Sequence, residues 1–325
     1  MTHAIRVHET GGPEVLCWEP VDVGSPGEGE IRVRHTAVGL NFIDVYFRTG
    51  LYPAGSSPFV LGVEAAGVVV EAGDGVTEIS AGDRIAYAAR PIGAYSQERL
   101  MPASQVVKVP GAIDDHSAAA MMLKGMTAEY LLRRTFSVSA DTTLLFHAAA
   151  GGVGLIACQW AKALGATVIG TVGSAEKAQL ARAHGCDHPL IHGEDDLVTA
   201  VKDLTFGRGV DVVYDSIGKD TFMASLDCLR PLGMMVSFGQ SSGPMQPIDV
   251  GVLAAKGSLF LTRPTLFTYI AERGMLVESA NALFDVVAAG QVGIEVNQTF
   301  PLADAADAHR ALEGRQTTGS TVLLP

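Results

Sequence analysis

The stretch Ala148-Ala149-Ala150-Gly151-Gly152-Val153-Gly154 places small residues where a chain could let a phosphate approach its backbone. Ahead of it, Leu144, Leu145 and Phe146 form the short apolar run of a buried parallel strand. After it, Leu155, Ile156, Cys158, Trp160, Ala161 and Leu164 recur at helical spacing, and Gly165 supplies a stop. Strand, small-residue turn and helix in that order are the context of a dinucleotide-binding fingerprint. Ala149 stands where the usual pattern has its first glycine and is expected to allow the tight turn. Gly151 is expected to admit a pyrophosphate, and Gly154 to let the helix pack close on the strand. The amides of Gly151, Gly152, Val153 and Gly154 then face the phosphates, helped by the positive end of the helix dipole.

A second strand, Thr167 to Val172, bears on which dinucleotide binds. An NAD site wants Asp or Glu about 20 residues after the glycines, to hold the ribose 2′-OH. Here the region reads Thr171-Val172-Gly173-Ser174-Ala175, without an acid, and Lys177 follows. Gly173 leaves room for a 2′-phosphate, Ser174 can donate to it and Lys177 can neutralise it. These residues indicate NADPH over NADH. The bland reading of Lys177 is a solvated helix residue.

These groups need large elements to hold them, and the chain supplies the material. It has 325 residues, the length of two domains, and 48% of them are hydrophobic. A net charge of −12 offers no general basic footprint for nucleic acid or anionic membrane. Cys17, Cys158, Cys186 and Cys228 are scattered, with no two close enough to suggest a metal or redox pair, and Cys158 and Cys228 read as buried thiols. Ala4-Ile5-Arg6-Val7 already alternates like a strand, no signal peptide is recognised, and no apolar run has membrane-spanning length. The expectation is a soluble, reduced, cytoplasmic protein without membrane partners.

Up to about residue 120 the pattern is β-rich: Ile31–Arg34, Gly67–Gly73, Ala81–Tyr87 and Gln105–Pro110 read as strands or turns feeding strands. Helical stretches follow at Ser117–Met122 and Ala128–Arg134. Beyond the fingerprint, strands at Thr167–Val172, His188–Ile191, Val210–Asp215, Met234–Gly239 and Ser258–Thr262 alternate with helices at Ala175–His184, Asp195–Leu204 and Thr221–Leu229. Six strands with intervening helices make a doubly wound α/β sheet. The tail shows helical patterns at Tyr269–Ala289 and Ala303–Glu313 and a strand at Ser320–Leu324, which is expected to return to the first domain.

Several stretches carry a resemblance over essentially the whole chain. They are Val38-Gly39-Leu40-Asn41-Phe42-Ile43-Asp44-Val45-Tyr46, Arg48-Thr49-Gly50-Leu51-Tyr52-Pro53, Leu61-Gly62-Val63-Glu64-Ala65-Ala66-Gly67, Leu123-Lys124-Gly125-Met126-Thr127, His147 to Gly154, and Val236-Ser237-Phe238-Gly239. The sequence resembles the zeta-crystallin-type quinone oxidoreductases of the medium-chain dehydrogenase/reductase superfamily. The resemblance implies a GroES-like β-barrel catalytic domain over residues 1–122 and 265–325 and a Rossmann NADPH-binding domain over 123–264. It also implies a homodimer joined through an edge strand of the cofactor domain, here Ser258–Thr262. A long apolar edge strand otherwise invites aggregation.

Zinc alcohol dehydrogenases of that superfamily have Cys where Asn41 stands and His where Val63 stands, while Glu64 remains. Their four structural cysteines, around residues 90 to 110, have no counterpart. The remaining donors cannot complete a tetrahedral site, so no metal is expected. Without a metal to stabilise an alkoxide, hydride transfer needs an acceptor that is already electrophilic, such as a quinone or an activated enone. The expected activity is NADPH-dependent quinone reduction, with the protein supplying orientation and a dry site.

The resemblance places Asn41 at the nicotinamide and substrate, where its amide can donate to an oxygen gaining charge; the alternative is an Asn holding a turn. Tyr46 and Tyr52 either stack on a quinone and donate a proton or simply pack. Lys124 either works at the site or only caps a helix or meets solvent, and Thr127 faces the cofactor in similar enzymes. Asp44 reads as a structural partner of Arg48 at helical spacing, and His147 as a satisfied core histidine. Ser216, Phe238, Gly239, Gln240 and Ser241 follow strands at carboxyl ends, where Rossmann ligands bind. Arg263 and Pro264 fall near the nicotinamide end by resemblance. Related sequences often carry Asn-Tyr-Arg where this chain reads Ile191-His192-Gly193, so His192 stands in for the tyrosine, and Arg315 is the arginine that approaches the 2′-phosphate. Two rival functions share the scaffold: an NADPH-dependent enone or alkenal double-bond reductase, and an NADPH-holding structural or RNA-binding protein. The charge of −12 argues against RNA.

Overall fold

A computed structural model describes residues 2–325. The chain divides into two compact units. The first comprises the residues up to Met126 together with Ile270–Ala288 and Ile294–Pro325; the second comprises Thr127–Tyr269 and Ala289–Gly293.

The first unit opens with β1 (Thr2–Val7), β2 (Cys17–Val21) and β3 (Glu30–Leu40), then α1 (Phe42–Arg48), β4 (Phe59–Val60), β5 (Glu64–Ala72), β6 (Arg84–Ala88), β7 (Glu98–Pro102) and β8 (Val107–Lys108). Helix α2 (Asp115–Tyr130) leads out of it. In the second unit follow β9 (Thr143–Phe146), α3 (Gly152–Ala163), β10 (Thr167–Val172), α4 (Ala175–Ala183), β11 (His188–Ile191), α5 (Leu197–Leu204), β12 (Val210–Asp215), α6 (Phe222–Cys228), β13 (Leu229–Ser237), α7 (Gly251–Ala255), β14 (Phe260–Thr262) and α8 (Leu266–Tyr269). The chain ends with α9 (Arg273–Ala288), β15 (Val296–Pro301), α10 (Ala305–Glu313) and β16 (Ser320–Leu324) in the first unit.

The first unit holds a small sheet, β2-β1-β4, and a larger one ordered β15-β16-β3-β5-β6-β8, with β7 paired to β3. Strand β3 is the centre of this larger sheet. Its Val33, Ala37, Val38 and Leu40 are buried, and it pairs antiparallel with β5, β7 and β16. The last strand returns here, Thr321 lying opposite Leu40.

The second unit is the doubly wound α/β sheet expected, with every pairing parallel and order β11-β10-β9-β12-β13-β14. Within the unit that is the 3-2-1-4-5-6 order of a dinucleotide-binding fold. One of its core clusters joins Leu145, Ile169, Val210 and Val213 of the strands to Val201, Phe222 and Leu226 of the helices. These strands are buried on both faces, which is why they read as continuous apolar runs instead of alternating ones.

Several boundaries differ from the sequence reading. The two helices expected near 117–134 are one, α2, continued by a wider π-type turn at Leu131–Thr135. Strand β13 begins at Leu229, where the helix α6 was expected to end, and the edge strand is shorter, Phe260–Thr262. The pattern over 269–289 breaks between α8 and α9. Strand β15 was not anticipated: its burial alternates along Val-Asn-Gln-Thr-Phe-Pro, a half-polar run that only its partner β16 identifies as a strand.

Candidate functional site

The second unit gathers its candidate residues by topology. Because all six strands are parallel, their carboxyl ends lie along one edge of the sheet. Gly151 to Gly154 follow β9, Gly173, Ser174 and Lys177 follow β10, His192 follows β11, and Ser216 follows β12. Phe238 to Ser241 follow β13, and Arg263 follows β14.

At the fingerprint Ala149 lies inside the turn that Ala148 O closes on the Gly151 N–H, and Ala148 before it takes the left-handed conformation, with φ 55°. Ala149 packs its methyl over Gly170 and donates its N–H to Thr171 O, 2.9 Å away. Gly151 is extended, and its N–H is taken by Ala148 O at 2.9 Å. Gly152, Val153 and Gly154 open α3, so their N–H groups have no acceptor within the helix. Gly154 is needed for close approach: a Cβ there would lie 2.4 Å from Ala148 O and 2.7 Å from Ala149 O. A cradle of this form fits a pyrophosphate.

Ser174 caps α4, its hydroxyl accepting from Lys177 N at 3.3 Å. An added Cβ on Gly173 would meet nothing within 4 Å, so the space beside Ser174 is open. His192 is exposed and donates its N–H to Val172 O. Gly239 lies so close to Ser216 that a Cβ would be 2.6 Å from its carbonyl oxygen, and Arg263 donates to Ser237 O and Gly239 O. Phe238 packs on Phe146 with the two rings tilted by 54°. Thr127 lies on α2, nearly buried, within this unit, whereas Arg315 is exposed, just past α10 of the first unit.

Behind this edge sits a buried chain that sequence reasoning reached only at His147. Asp215 is fully buried and accepts from the N–H groups of Ile217 and Gly218 and from the hydroxyls of Thr221 and Ser225. Ser225, having donated to Asp215, accepts from His147 Nε2, and His147 Nδ1 accepts from Thr171. That assignment requires a neutral imidazole, and burial does push the His147 pKa down. His147 is a satisfied core histidine that ties β9 to β10 and α6.

In the first unit the candidate residues are side chains held by a buried carboxylate or by ring packing. Asn41 precedes α1, and its Nδ2 donates to Glu64 Oε2 at 2.6 Å and to Gly39 O at 3.4 Å. Both amide hydrogens are thereby committed within the unit. Lys124 Nζ reaches the same Glu64 oxygen at 3.4 Å and is 6% exposed; that single bond leaves two of its hydrogens for another acceptor. Tyr46 is buried and stacks edge-on with Phe42 and with Tyr52, ring centres 5.6 and 5.1 Å apart.

Asp44 does not pair with Arg48. Its Oδ2 accepts from Asn41 N at 2.9 Å and from Tyr95 Oη at 3.0 Å, while Oδ1 is buried without a partner. Arg48 turns the other way, its guanidinium gripping both oxygens of Glu313 and donating to His309 Nδ1. Spacing within a helix brought Asp44 and Arg48 to neighbouring turns, but α10 and Tyr95 offered each a better partner. Because Arg48 can only donate, His309 Nδ1 must accept and His309 Nε2–H must donate to Tyr95, leaving the phenol to donate to Asp44. Burial pushes the Asp44 carboxyl up to about 7, with the Glu64 charge adding to the rise, and burial with Arg48 nearby brings His309 down to about 3. The signal in the sequence was faint: Glu64 is a lone acid in an apolar strand, and Tyr95 and His309 carry none.

Among the described residues no group of three or more His, Cys, Asp or Glu is placed to hold a metal. Asn41 and the buried apolar Val63 do not form a zinc donor set with Glu64.

A mainly antiparallel unit and a six-stranded dinucleotide-binding sheet within one chain make the architecture of a medium-chain dehydrogenase/reductase. Residues 27–133 match the alcohol dehydrogenase GroES-like domain family and residues 152–277 the zinc-binding dehydrogenase family. The chain is 51% identical to a quinone oxidoreductase of Pseudomonas aeruginosa, over 325 residues covering 100% of both. It is also 51% identical to a 2-haloacrylate reductase of Burkholderia sp, covering 100% of this chain and 99% of that one. The crystal structure of Escherichia coli quinone oxidoreductase complexed with NADPH is 50% identical and superposes with a TM-score of 0.98, covering 99% of this chain and 100% of that one. The chain belongs to the quinone oxidoreductase family of the medium-chain dehydrogenases/reductases, at the zinc-free branch its sequence resembled.

Proposed function

We propose that this protein is an NADPH-dependent quinone reductase that works without a metal. The observation that carries the reading is full-length similarity to the Escherichia coli quinone oxidoreductase crystallised with NADPH, joined to a sheet edge along which the candidates that follow β9 to β14 lie. The cofactor would be held by the N–H groups of Gly152, Val153 and Gly154 at its pyrophosphate and by Ser174 and Lys177 at its 2′-phosphate, with Gly173 leaving the space. Thr127, His192, Ser216, Phe238, Gly239, Gln240, Ser241, Arg263 and Arg315 complete the proposed cofactor contacts. When bound, NADPH supplies the hydride.

The chain's own part is to orient the acceptor and meet the charge that arrives on it. Lys124, a nearly buried ammonium with hydrogens to spare, is the donor for the acceptor's oxygen. Asn41, with its amide hydrogens committed, is a positioning group. Tyr46 and Tyr52 form an aromatic wall suited to a flat ring. Phe260, 57% exposed on the edge strand β14, supports a homodimer joined there. No helix among the described residues is long and apolar enough to cross a membrane, and we place the protein in the cytoplasm.

One observation favours a second reading. A relative of equal identity is a 2-haloacrylate reductase, so an activated carbon–carbon double bond is the rival acceptor. The test is oxidation of NADPH, with NADH in parallel, against p-benzoquinone, phenanthrenequinone, an unsaturated ketone and 2-chloroacrylate. Rapid turnover of the quinones with NADPH supports the main reading, whereas preference for the double bonds transfers the function to the second. Lys177→Glu should raise KM for NADPH roughly hundredfold, equivalent to about 3 kcal/mol, and scarcely alter that for NADH. Equal effects on the two would remove Lys177 from the phosphate.

A further inference from the structure

We propose that Glu64 is the positioning residue on which the acceptor side of the site is built: its carboxylate holds the Asn41 amide and the Lys124 ammonium on one oxygen. The inference rests on the placing of Asn41 and Lys124 at that side, as above.

Glu64 opens β5 and is fully buried, a setting in which a carboxylate is retained only if its oxygens are satisfied. They are. Oε1 accepts from the N–H of Leu123 at 2.7 Å, an amide in the middle of α2 that reaches an acceptor outside its own helix. Oε2 accepts from Asn41 Nδ2 at 2.6 Å and from Lys124 Nζ at 3.4 Å. Three elements thus meet on one carboxylate: the residue before α1, the first residue of β5 and the interior of α2.

Two details give this clamp direction. A carboxylate can only accept, so Asn41 must turn its nitrogen, and not its oxygen, toward Glu64. Main-chain bonds with Asp44 fix the same residue from the other side, Asn41 N on Asp44 Oδ2 and Asp44 N on Asn41 O at 3.0 Å. Asn41 therefore has neither rotational nor translational freedom of its own. Lys124, by contrast, is anchored through one hydrogen, and its remaining two are aimed by where Glu64 holds the nitrogen.

Room for the clamp comes from Gly39. A Cβ there would fall 2.4 Å from Glu64 Oε2 and 2.3 Å from Ala119 O, so any side chain at residue 39 would displace the carboxylate or the helix. The charge balance is also local. Lys124 is the cation that faces Glu64; Asp44 and Tyr95 are the other titratable groups close to it, and both are held where burial favours the neutral form.

The test compares steady-state kinetics of Glu64→Gln and Glu64→Asp with those of Asn41→Ala and Lys124→Met, each first checked for folding by its thermal transition. Glu64→Gln keeps the size but removes the charge and points N–H groups at other donors. Glu64→Asp keeps the charge but withdraws the oxygens by one methylene, and it reads the proposal if the glutamine variant does not fold. Either is expected to lower kcat for quinone roughly hundredfold while KM for NADPH stays within about twofold, the signature of misplacement on the acceptor side alone. In an Asn41→Ala background the further loss on Glu64→Gln should shrink, since one of the two held groups is already gone. If Asn41→Ala and Lys124→Met lower kcat but a folded Glu64 variant turns over at the wild-type rate, the clamp is overturned and the site reading stands. If Asn41→Ala and Lys124→Met leave kcat unchanged, the site reading falls and takes the clamp with it.

Discussion

The two units hold their candidate residues by opposite means. In the second, most candidates are main-chain amides or side chains that directly follow a strand, set along one edge because six strands run parallel. In the first, they are charged and aromatic side chains, set by a buried network that runs from Lys124 and Glu64 through Asn41 and Asp44 to Tyr95, His309, Arg48 and Glu313. Backbone geometry is inherited from the sheet and barely depends on pH. A buried polar network depends on every member, because each one lost leaves a desolvated partner behind. The comparison predicts that the first unit should fail by charge and protonation and the second by steric fit.

A first effect on stability should come from Arg48→Met. It strips Glu313 of its bidentate partner and leaves the buried His309 Nδ1 without a donor. Glu313 is a third exposed and can turn to water, so the cost is that of the buried His309 acceptor left unpaired, about 1–3 kcal/mol. Denaturant unfolding should show a loss of that order, and a change under about 1 kcal/mol would mean the network contributes little to holding α10.

Next is a pH effect. The Asp44 carboxyl is raised from 3.8 to about 7, so the folded chain binds its proton more tightly than the unfolded chain does. The resulting stabilisation is full below about pH 4 and is lost as pH rises through 7. His309 and His35, lowered to about 3 and about 4, act in the opposite sense, losing stability as pH falls below 6.5. The Asp44 contribution is therefore read as a difference. Asp44→Asn should gain on the wild type as pH rises from about 4 to about 8, approaching roughly 4 kcal/mol across the range. A difference that stays flat with pH would show that the carboxyl does not titrate there.

In the second unit, Gly154→Ala puts a methyl against the carbonyls of Ala148 and Ala149 and should destabilise by about 1–3 kcal/mol at any pH, with weaker NADPH binding by fluorescence titration. Pronounced pH dependence of that loss would contradict the contrast drawn between the units. The smallest effect should be a gain. Ala148 holds φ 55°, a conformation that costs an L-residue about 1–2 kcal/mol, part of which Ala148→Gly should recover as a thermal shift of a few degrees. A loss of stability would mean that the Ala148 methyl packs better than its backbone suffers.

How far these features could be read beforehand follows the same division. The fingerprint turn, the parallel strands and the edge residues after them are local patterns: an apolar run, a cluster of small residues, a helical period. Each is written within about 25 residues. Even there the left-handed conformation of Ala148 was not legible, because the turn's geometry depends on Thr171 and Gly170 from the next strand. Strand β15 escaped because its polar alternation acquires meaning only beside β16.

The sequence by itself determined the doubly wound sheet, the absence of an acidic ribose clamp after β10, and the presence of Asn41 and Val63 where zinc ligands would stand. These depend on residue types at short spacing, and short-range stereochemistry decides them. Only the tertiary structure decided that Asp44 turns to Tyr95 instead of Arg48, that Arg48 reaches 265 residues along the chain to Glu313, and that Glu64 gathers Asn41 and Lys124. Hydrogen-bond partners in a buried network are chosen by which donors the packed elements bring within about 3 Å. No property of a residue or its neighbours in sequence encodes that choice.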